Sequence, residues 1–396
     1  MPEPGVLVVN AGSSSLKVKL FPAGDAVLVE RIGEDSNVVA SFGPVPGRAV
    51  ARHDEALRLV LDLLGGRLPA GGIEAVGHRV VHGGMRYSRP VRIDDGVEAI
   101  IQELSALAPL HNPANLEGIR AARALLPDVP HVAVFDTAFH AGMPRRAYLF
   151  GLPMALYRER RVRRYGFHGT SHDYVTRRAA ALLGRPRVSL KLVSLHLGNG
   201  ASAAAVSEGR SIDTSMGFTP LDGLLMGTRS GEIDPGVLIH LLRGGLDVDG
   251  LDRMLNRESG LLGLSGVSND MRDVRQAADA GNADAAAALE VFGYRIAKTV
   301  GAYAAAMGGL DAIVFTGGIG ENDARIRAES LAGLGFLGVR IDETRNRRNA
   351  TRIGADGAVV EVLVVPTDEE RMIADRTAAT AGLAGHGSRA EAEEAT

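Results

Sequence analysis

The chain contains no cysteine in its 396 residues. This absence excludes disulfide frameworks, thiolate nucleophiles, iron–sulfur clusters and cysteine zinc sites, and it favours a cytoplasmic protein. No apolar run approaches the ~18 residues of a membrane-spanning helix, and residues 1–10 lack the basic segment and apolar core of a secretory signal. We therefore expect a soluble protein without a membrane partner.

An excess of charge of one sign is also missing, because 44 basic residues and 47 acidic residues give a net charge of −3. This balance does not suit proteins that bind nucleic acids through their overall charge, so any phosphate recognition must be local. Lysine is scarce: Lys17, Lys19, Lys191 and Lys298 are the only ones. Arginine supplies the rest of the positive charge, and a single arginine therefore needs a supporting context before it is assigned a function.

Glycine, in contrast, is abundant: it accounts for 50 of the 396 residues, whereas its usual share is about 7%. Short β-branched runs alternate with alanine-rich helical patterns, which predicts an α/β protein, and the length indicates two or three domains. Strands are predicted over residues 6–10, 16–21, 75–81, 131–135, 190–197, 202–206, 312–316 and 359–365. Helices are predicted over residues 55–64, 97–107, 115–125, 172–183, 236–242, 283–307, 324–332 and 369–381.

Two segments share one pattern. Residues 6–21 and residues 192–206 each show an apolar strand, a turn of small polar residues and glycine, and a second strand. Such turns present backbone N–H groups and hydroxyls to a phosphate chain without obstruction by large side chains. Either segment alone could be an ordinary hairpin, but the pair indicates a duplicated fold.

A third segment, residues 312–322, places the glycine pair Gly317 and Gly318 at the end of an apolar strand. Nucleotides bind at the carboxyl ends of strands in open α/β sheets, although the glycines could also serve only a turn. No GK dipeptide occurs, which excludes a Walker A loop, and there is no HRD or DFG of a protein kinase. The GLGFLG match at residues 333–338 follows a helical pattern and is weak support for a dinucleotide site.

Histidines spaced by four residues suggest zinc at first sight: His78 with His82, and His168 with His172. On a strand, four residues span ~13 Å, too far for two ligands of one metal ion. The second pair is interrupted by Gly169, and neither pair carries the glutamate of HExxH. Structural hydrogen bonding is the better interpretation of these pairs.

Charged residues in glycine-rich or strand-end settings indicate phosphoryl chemistry. Asp136 directly follows a predicted strand, where a carboxylate can hold Mg²⁺ or activate a nucleophile, although it could simply cap the next turn. Glu369 opens the last predicted helix, which Asp368 could cap. Arg79 lies in the glycine-containing segment GHRVVHGG and Arg229 lies between Thr228 and Ser230, so either guanidinium could approach a phosphoryl or carboxylate group bidentately.

Taken together, the motifs resemble the acetate kinase family, in that family's order and over essentially the whole chain. They are LVVNAGSSSLKVKLF, GHRVVHGG, APLHNP, FDTAFH, RYGFHGTSH, HLGNGAS, GTRSGEIDPG, TGGIGEN and PTDEE. The resemblance implies a two-lobed, duplicated actin-like ATPase fold with a ribonuclease H-like core in each lobe. It places residues 1–137 and 371–396 in the first lobe and residues 138–370, with a homodimer interface, in the second. It also implies an active site between the lobes.

The resemblance also implies residue roles. The implied catalytic residues are Arg79, Asp136, His168 and Arg229, and the implied Mg²⁺ ligands are Asn10, Asp136 and Glu369. The implied nucleotide-binding residues are Asn10, Ser13, Ser15, Lys17, His196, Asn199, Gly200, Asp270, Arg272, Gly318, Ile319 and Asn322. The implied acetate-binding residues are Arg79, Val81, Leu110, His111, Phe167 and Pro220. One departure is PTDEER, because the family usually has asparagine at the position of Asp368 and an apolar residue at that of Arg371.

The implied reaction is reversible phosphorylation of acetate by ATP through direct in-line transfer with Mg²⁺ or Mn²⁺. A carboxylate substrate is already ionised at neutral pH and needs no general base. A polyol kinase would need a general base to take the hydroxyl proton, and Asp136 is available for that role. A chaperone-like ATPase would need an appended peptide-binding domain, whereas we expect only a short tail after the last helix. Within the carboxylate kinases, propionate kinase is the main alternative, because one methylene changes binding by only ~1–3 kcal/mol. Butyrate kinases match the motifs less well.

Overall fold

The computed structural model describes residues 3–45 and 48–383. The strands are β1 (Val6–Gly12), β2 (Ser15–Phe21), β3 (Ala26–Glu30), β4 (Asn37–Ala40), β5 (Gly43–Pro44), β6 (Ala75–Val80), β7 (Val91–Arg92), β8 (His131–Phe135), β9 (Lys191–Leu197), β10 (Ala201–Ser207), β11 (Arg210–Thr214), β12 (Ala312–Thr316) and β13 (Glu361–Val364).

The helices are α1 (His53–Leu64), α2 (Asp95–Glu103), α3 (Asn112–Leu125), α4 (Arg145–Tyr148), α5 (Met154–Arg160), α6 (Gly169–Leu183), α7 (Pro235–Arg243), α8 (Val248–Arg257), α9 (Gly260–Ser265), α10 (Met271–Asp279), α11 (Ala283–Met307), α12 (Gly317–Asn322), α13 (Ala324–Leu331), α14 (Glu343–Arg347) and α15 (Glu369–Ala381). Single 3₁₀ turns occur at Gly65–Arg67, Leu104–Ala106, Ala138–His140 and Arg187–Ser189, and a longer one at Ala332–Leu337. No helix in the described part of the chain is long and apolar enough to cross a membrane.

The described residues form two compact units. The first unit comprises the residues up to Ala141 and those from Asp368 onward, and the second unit runs from Gly142 to Thr367. Residues 384–396, which we expected in the first lobe, lie outside the described part of the chain.

The first unit contains a sheet of order β5-β4-β3-β2-β1-β6-β8-β7. Strands β1 to β3 form an antiparallel meander, and β6 and β8 run parallel to β1. Alternate residues of β1 face opposite sides of the sheet: Leu7 and Val9 pack with α1 and α3, whereas Val6 and Val8 pack with α15. Strand β1 is therefore buried on both faces.

Helix α15 lies very close to β6. A Cβ atom on Gly77 would be 2.3 Å from the Thr377 hydroxyl oxygen, so only glycine admits the helix at this distance. This close packing places the start of α15, and with it Glu369, over the same strands that carry Arg79 and Asp136.

The second unit repeats the arrangement with a sheet of order β11-β10-β9-β12-β13. Strands β9, β10 and β11 form the antiparallel meander, and β12 and β13 run parallel to β9. The two hairpins that were similar in sequence are β1–β2 and β9–β10, the equivalent hairpins of the two sheets. The duplicated actin-like fold, with a ribonuclease H-like core in each unit, is confirmed.

Several predicted elements differ at their ends from those observed. The strand predicted over residues 75–81 ends at Val80, because the Val81 amide donates to the Asn115 side chain instead of to a neighbouring strand. The helix predicted over 97–107 begins at Asp95, since the Asp94 carboxylate accepts from the Val97 amide and caps it. The third meander strands, β3 and β11, were not predicted: each is only five residues long, and β11 also lacks a continuous apolar run.

Arg327 on α13 is fully buried in the second unit and donates to carbonyl and amide oxygens of Gly320, Asn346 and Asn349 at 2.6–2.9 Å. These bonds anchor the carbonyl of Gly320 within α12. We expect Arg327→Met to lower the free energy of unfolding by about 2–4 kcal/mol, because buried acceptors lose their donors. Urea denaturation measures this change. The control Arg325→Met removes an exposed ion pair with Asp279 and should cost under about 0.5 kcal/mol. Equal losses in both variants would contradict the anchoring role.

Candidate active site

The central feature of the first unit is a buried carboxylate held by an arginine. Asp136 directly follows β8, and its amide donates to the Val80 carbonyl at 3.0 Å. Arg79 on the adjacent strand β6 donates to the Asp136 carboxylate from Nε at 3.1 Å and from Nη2 at 2.6 Å. Asp136 is only 1% exposed. Two catalytic residues implied by the resemblance are thus brought together, although they lie 57 positions apart.

The charges of this pair are set by burial and by each other. Burial raises the pKa of Asp136, and the opposing effect of Arg79 does not fully offset it. Burial alone would lower the pKa of Arg79, but the nearby carboxylates of Asp136 and Glu369 outweigh it and raise that pKa. Arg79 therefore stays charged, and additional positive charge near Asp136 would stabilise its carboxylate.

Glu369 is the first residue of α15, and the acidic residues on either side of it pair with β2. Asp368 accepts from the Lys19 ammonium at 3.2 Å and caps α15 by accepting from the Arg371 amide at 3.0 Å. Glu370 forms an ion pair with Lys17. Burial would raise the pKa of Glu370, but its hydrogen bond with Lys17 prevails and lowers it.

Asp136 and Glu369 carry carboxylate oxygens and Asn10 on β1 carries an amide oxygen, and these are ligand types that Mg²⁺ prefers. No group of three or more His, Cys, Asp or Glu side chains that could hold a metal ion occurs among residues 3–45 and 48–383. Mg²⁺ is commonly bound through one or two carboxylates together with substrate phosphates, so this smaller donor set fits it.

The β1–β2 turn presents small side chains. Ser13 is exposed in the turn, Ser15 begins β2, and Asn10 lies opposite Lys17 in the antiparallel register. Backbone N–H groups and hydroxyls in such a turn can bind phosphate oxygens.

The residues implied to bind acetate have different exposures. In the first unit, Val81 is buried, Leu110 is 58% exposed and His111 lies at the start of α3. In the second unit, Phe167 is buried, and the half-buried Pro220 accepts at its carbonyl from Arg229 Nη1 at 3.4 Å. The structure therefore brings Pro220 to Arg229.

His168, Gly200 and Arg229 lie together in the second unit. A Cβ atom on Gly200 would be 3.4 Å from His168 Cε1 and 3.7 Å from Arg229 Nη1. Burial lowers the pKa of Arg229, and no carboxylate of the described residues lies within ion-pair distance of it. A partly buried guanidinium of this kind is suited to an anionic ligand.

His168 is held on one face and at one edge. Its ring stacks on that of His196 with centroids 4.3 Å apart, and its Nδ1 is 2.9 Å from the Ser202 hydroxyl. His168 has a positive φ of 55° immediately before α6. The ring is therefore fixed in position relative to Gly200.

Two segments of the second unit carry the implied nucleotide-binding residues. Asn199 Oδ1 accepts from the Asn269 side chain at 3.0 Å, next to the start of α10. Asp270 caps α10, and its bonds with Arg272 lower the pKa of Asp270 to about 2. The structure thus brings Asn199 close to the Asp270 segment.

The other segment is α12, which contains Gly318, Ile319 and Asn322. It follows β12, whose last residue Thr316 pairs in register with His196. Gly317 has φ +77°, and a Cβ atom there would be 2.7 Å from the Leu197 carbonyl oxygen, so glycine is required.

Sequence reasoning missed several polar residues that support these groups. Ser202 bonds His168, Ser171 bonds His196 at 2.8 Å, and Glu321 accepts from the amides of Gly317 and Thr367. The two serines carry no charge to mark them, and their position inside the quoted motifs was their only sequence signal. The charge of Glu321 was visible in the sequence, but not which distant amides it accepts from.

The chain has two actin-like units. They carry partly buried arginines, a buried carboxylate, an oriented histidine and glycine-rich turns, and this combination is typical of a phosphotransferase. The chain belongs to the acetokinase family, whose sequence model matches residues 5–375. It is therefore a phosphotransferase with a carboxyl group as acceptor.

Named relatives support this assignment. An acetate kinase from Leifsonia xyli subsp. xyli is 54% identical over 386 residues, covering 93% of this chain and 97% of the relative. The crystal structure of Porphyromonas gingivalis acetate kinase has 43% identity and a TM-score of 0.91, covering 96% of this chain and all of the other. A propionate kinase structure from Francisella tularensis subsp. tularensis has 42% identity and a TM-score of 0.90, covering 95% and 99%.

The departure at Asp368 generates a stability prediction. Asp368→Asn keeps an oxygen that can cap α15 but loses the ion pair with Lys19, so we expect a loss of under about 1 kcal/mol. Asp368→Ala removes the cap as well and should cost about 1 kcal/mol more. Urea denaturation of both variants measures the difference. If Asp368→Asn destabilises as much as Asp368→Ala, the ion pair and not the cap dominates.

Proposed function

We propose that the protein catalyses reversible phosphoryl transfer between ATP and acetate, forming ADP and acetyl phosphate by direct in-line displacement. The observation that carries this proposal is the presence of two partly buried arginines of different kinds. Arg79 is held bidentately by Asp136, and Arg229 has no carboxylate partner among the described residues. Arg79 is a cation whose orientation Asp136 already fixes. Arg229 is suited to bind an anionic group of a substrate.

Acetate supplies its own nucleophile. Model carboxyl groups have pKa values near 4, so acetate is ionised at neutral pH and needs no general base. The protein must instead neutralise charge and align the reactants. Arg79 and Arg229 would hold the carboxylate and the transferring phosphoryl group, and His168 would donate a hydrogen bond to the phosphoryl oxygens.

Asp136, Glu369 and Asn10 would hold Mg²⁺, or Mn²⁺ in its place. The ion, when bound, neutralises charge on the phosphate oxygens. The hydroxyls of the β1–β2 turn, with Lys17, would contact the phosphates. In the second unit, the Asn199–Gly200 turn, with His196, would also bind phosphates. The Asp270–Arg272 segment and α12 would contact the nucleoside.

A substrate panel tests this function. Acetate, propionate, butyrate and glycerol are each incubated with MgATP and hydroxylamine, which converts an acyl phosphate to a hydroxamate. We expect hydroxamate with acetate and none with glycerol. ADP release with glycerol and no hydroxamate with any acid would refute the proposal in favour of a polyol kinase.

The two arginines should be indispensable for turnover. Arg79→Ala and Arg229→Ala are each expected to lower kcat by about 10³–10⁵, as for arginines that stabilise the transition state of phosphoryl transfer. Lysine should restore little activity, because a point charge does not reproduce the planar fork of a guanidinium. Steady-state kinetics on variants with native circular dichroism measures this. A loss below tenfold would make that arginine structural.

Propionate is the second candidate substrate, because a propionate kinase structure aligns with this chain at a TM-score of 0.90. We expect acetate to be preferred by roughly 10–200-fold in kcat/KM, the range that one methylene supplies. If Val81 lines the pocket for the methyl group, Val81→Ala should raise the propionate-to-acetate ratio without changing the KM for ATP. An unchanged ratio would remove Val81 from the pocket, and a wild-type preference for propionate would favour the alternative substrate.

We also propose a homodimer formed through the second unit. Helix α7 has no buried residue, yet it carries Val237, Ile239 and Leu242, each at least 40% exposed. An exposed apolar face of this kind is typical of an interface. Light scattering at micromolar concentration should give twice 41.5 kDa, and Ile239→Glu should shift the mass toward the monomer. A wild-type mass near 41.5 kDa would contradict the dimer.

A further inference from the structure

A chain of four polar side chains runs from His168 into the interior of the second unit. His168 Nδ1 is 2.9 Å from the Ser202 hydroxyl, and the same hydroxyl is 2.8 Å from His172 Nε2. His172 Nδ1 is in turn 2.9 Å from the Ser194 hydroxyl. Ser202, His172 and Ser194 are all fully buried. The sequence analysis assigned no role to Ser202 or Ser194, and it interpreted His172 only as a histidine with structural hydrogen bonds.

The fold accounts for this alignment. In the β9–β10 register, Ser202 lies opposite His196, and Ser194 is two residues from His196, so all three side chains point to one face of the sheet. Helix α6 packs on β9, and His168 and His172 are one helical turn apart. His168, immediately before α6, and His172, in its first turn, therefore both reach the Ser202 hydroxyl.

The number of protons fixes the possible directions of donation. A serine hydroxyl carries one hydrogen, so Ser202 cannot donate to both imidazoles at once. If it donates to His168 Nδ1, it accepts from His172 Nε2–H, and a neutral His172 then accepts at Nδ1 from Ser194. In this direction a neutral His168 carries its proton on Nε2. In the reverse direction the proton of His168 is on Nδ1.

The two directions give His168 opposite chemistry. A protonated Nε2 donates to an anion, whereas a bare Nε2 presents a lone pair to it. We infer that Ser202 and His172 are positioning residues that hold neutral His168 as its Nε2–H tautomer, so that this N–H donates to the oxygens of the transferring phosphoryl group. The inference rests on the proposed role of His168 in phosphoryl transfer.

The surroundings of the ring agree with this orientation. A Cβ atom on Gly200 would be 3.6 Å from His168 Nε2, so this nitrogen lies beside the backbone of Gly200 with no side chain of that residue between them. Arg229 lies on the same side, with Nη1 3.7 Å from the same point. The Nε2–H and the guanidinium would therefore present donors to one anion, while the Ser202 hydroxyl occupies the opposite ring nitrogen.

The wild-type protein provides the direct test. Histidine-labelled protein is examined by two-bond ¹H–¹⁵N NMR at pH 8, and the His168 signals are assigned by their loss in His168→Gln. We expect a Nδ1 shift typical of an unprotonated ring nitrogen and a Nε2 shift typical of a protonated one. A protonated Nδ1 in the neutral ring would overturn the inference.

Variants test the consequence for catalysis. Ser202→Ala should lower kcat roughly tenfold to hundredfold, the usual effect of losing a partner that orients a functional histidine, with KM for ATP and acetate within about threefold. Its His168 signals should show mixed tautomers, and Ser202→Thr should recover part of the kcat by restoring the hydroxyl. Unchanged kcat and an unchanged tautomer in folded Ser202→Ala would refute the positioning role.

Ser211→Ala is the matched control, because it removes another buried hydroxyl from the same sheet, on β11. It should lose comparable thermal stability and keep the kcat and the His168 tautomer of wild type. The substrate panel separates the two proposals. If the protein forms hydroxamate but its neutral His168 is protonated on Nδ1, only the inference about the tautomer is refuted. If no acid gives hydroxamate, the proposed function itself is refuted.

Discussion

The burial of the Asp136 carboxylate is the constraint on which the chemistry of the first unit depends. A carboxylate that is 1% exposed is costly unless cations compensate it, and the two bonds from Arg79 provide the first compensation. Because Asp136 directly follows β8 and Arg79 belongs to the adjacent parallel strand, both charges lie at the same edge of the sheet. The close approach of α15 over Gly77 then brings Glu369 to that edge.

The second unit uses the same strand order for a different chemistry. In the first unit, a carboxylate and an arginine are in contact. In the second unit, the stacked rings of His168 and His196 lie near Gly200 and near Arg229, which has no carboxylate partner among the described residues. The first arrangement therefore combines a carboxylate with a guanidinium, whereas the second offers a guanidinium with no carboxylate beside it among the described residues. The duplicated topology thus supplies two similar sheet edges, and the side chains at each edge decide what it binds.

The acidic start of α15 shows how a local departure is accommodated. Asp368 adds a negative charge beside Glu369 and Glu370, and the two lysines of β2 neutralise the outer pair. Arg371, the other departure, pairs with Glu3 and Asp375. Two of the four lysines of the chain are therefore used at this one place.

Local patterns in the sequence determined much of the fold. The short β-branched runs identified the central strands, the alanine-rich patterns identified α11 and α15, and the similar hairpins indicated the duplication. The site residues were named mainly from the resemblance to a family, which attaches roles to motifs but does not describe contacts.

Tertiary structure alone decided which side chains meet: Arg79 with Asp136, Lys19 with Asp368, and Ser202 between His168 and His172. These pairs are 57, 349, 34 and 30 residues apart, and they depend on strand order, register and the close packing of helices on the sheets. Short-range periodicity specifies which face of an element is buried, but not which distant element covers it.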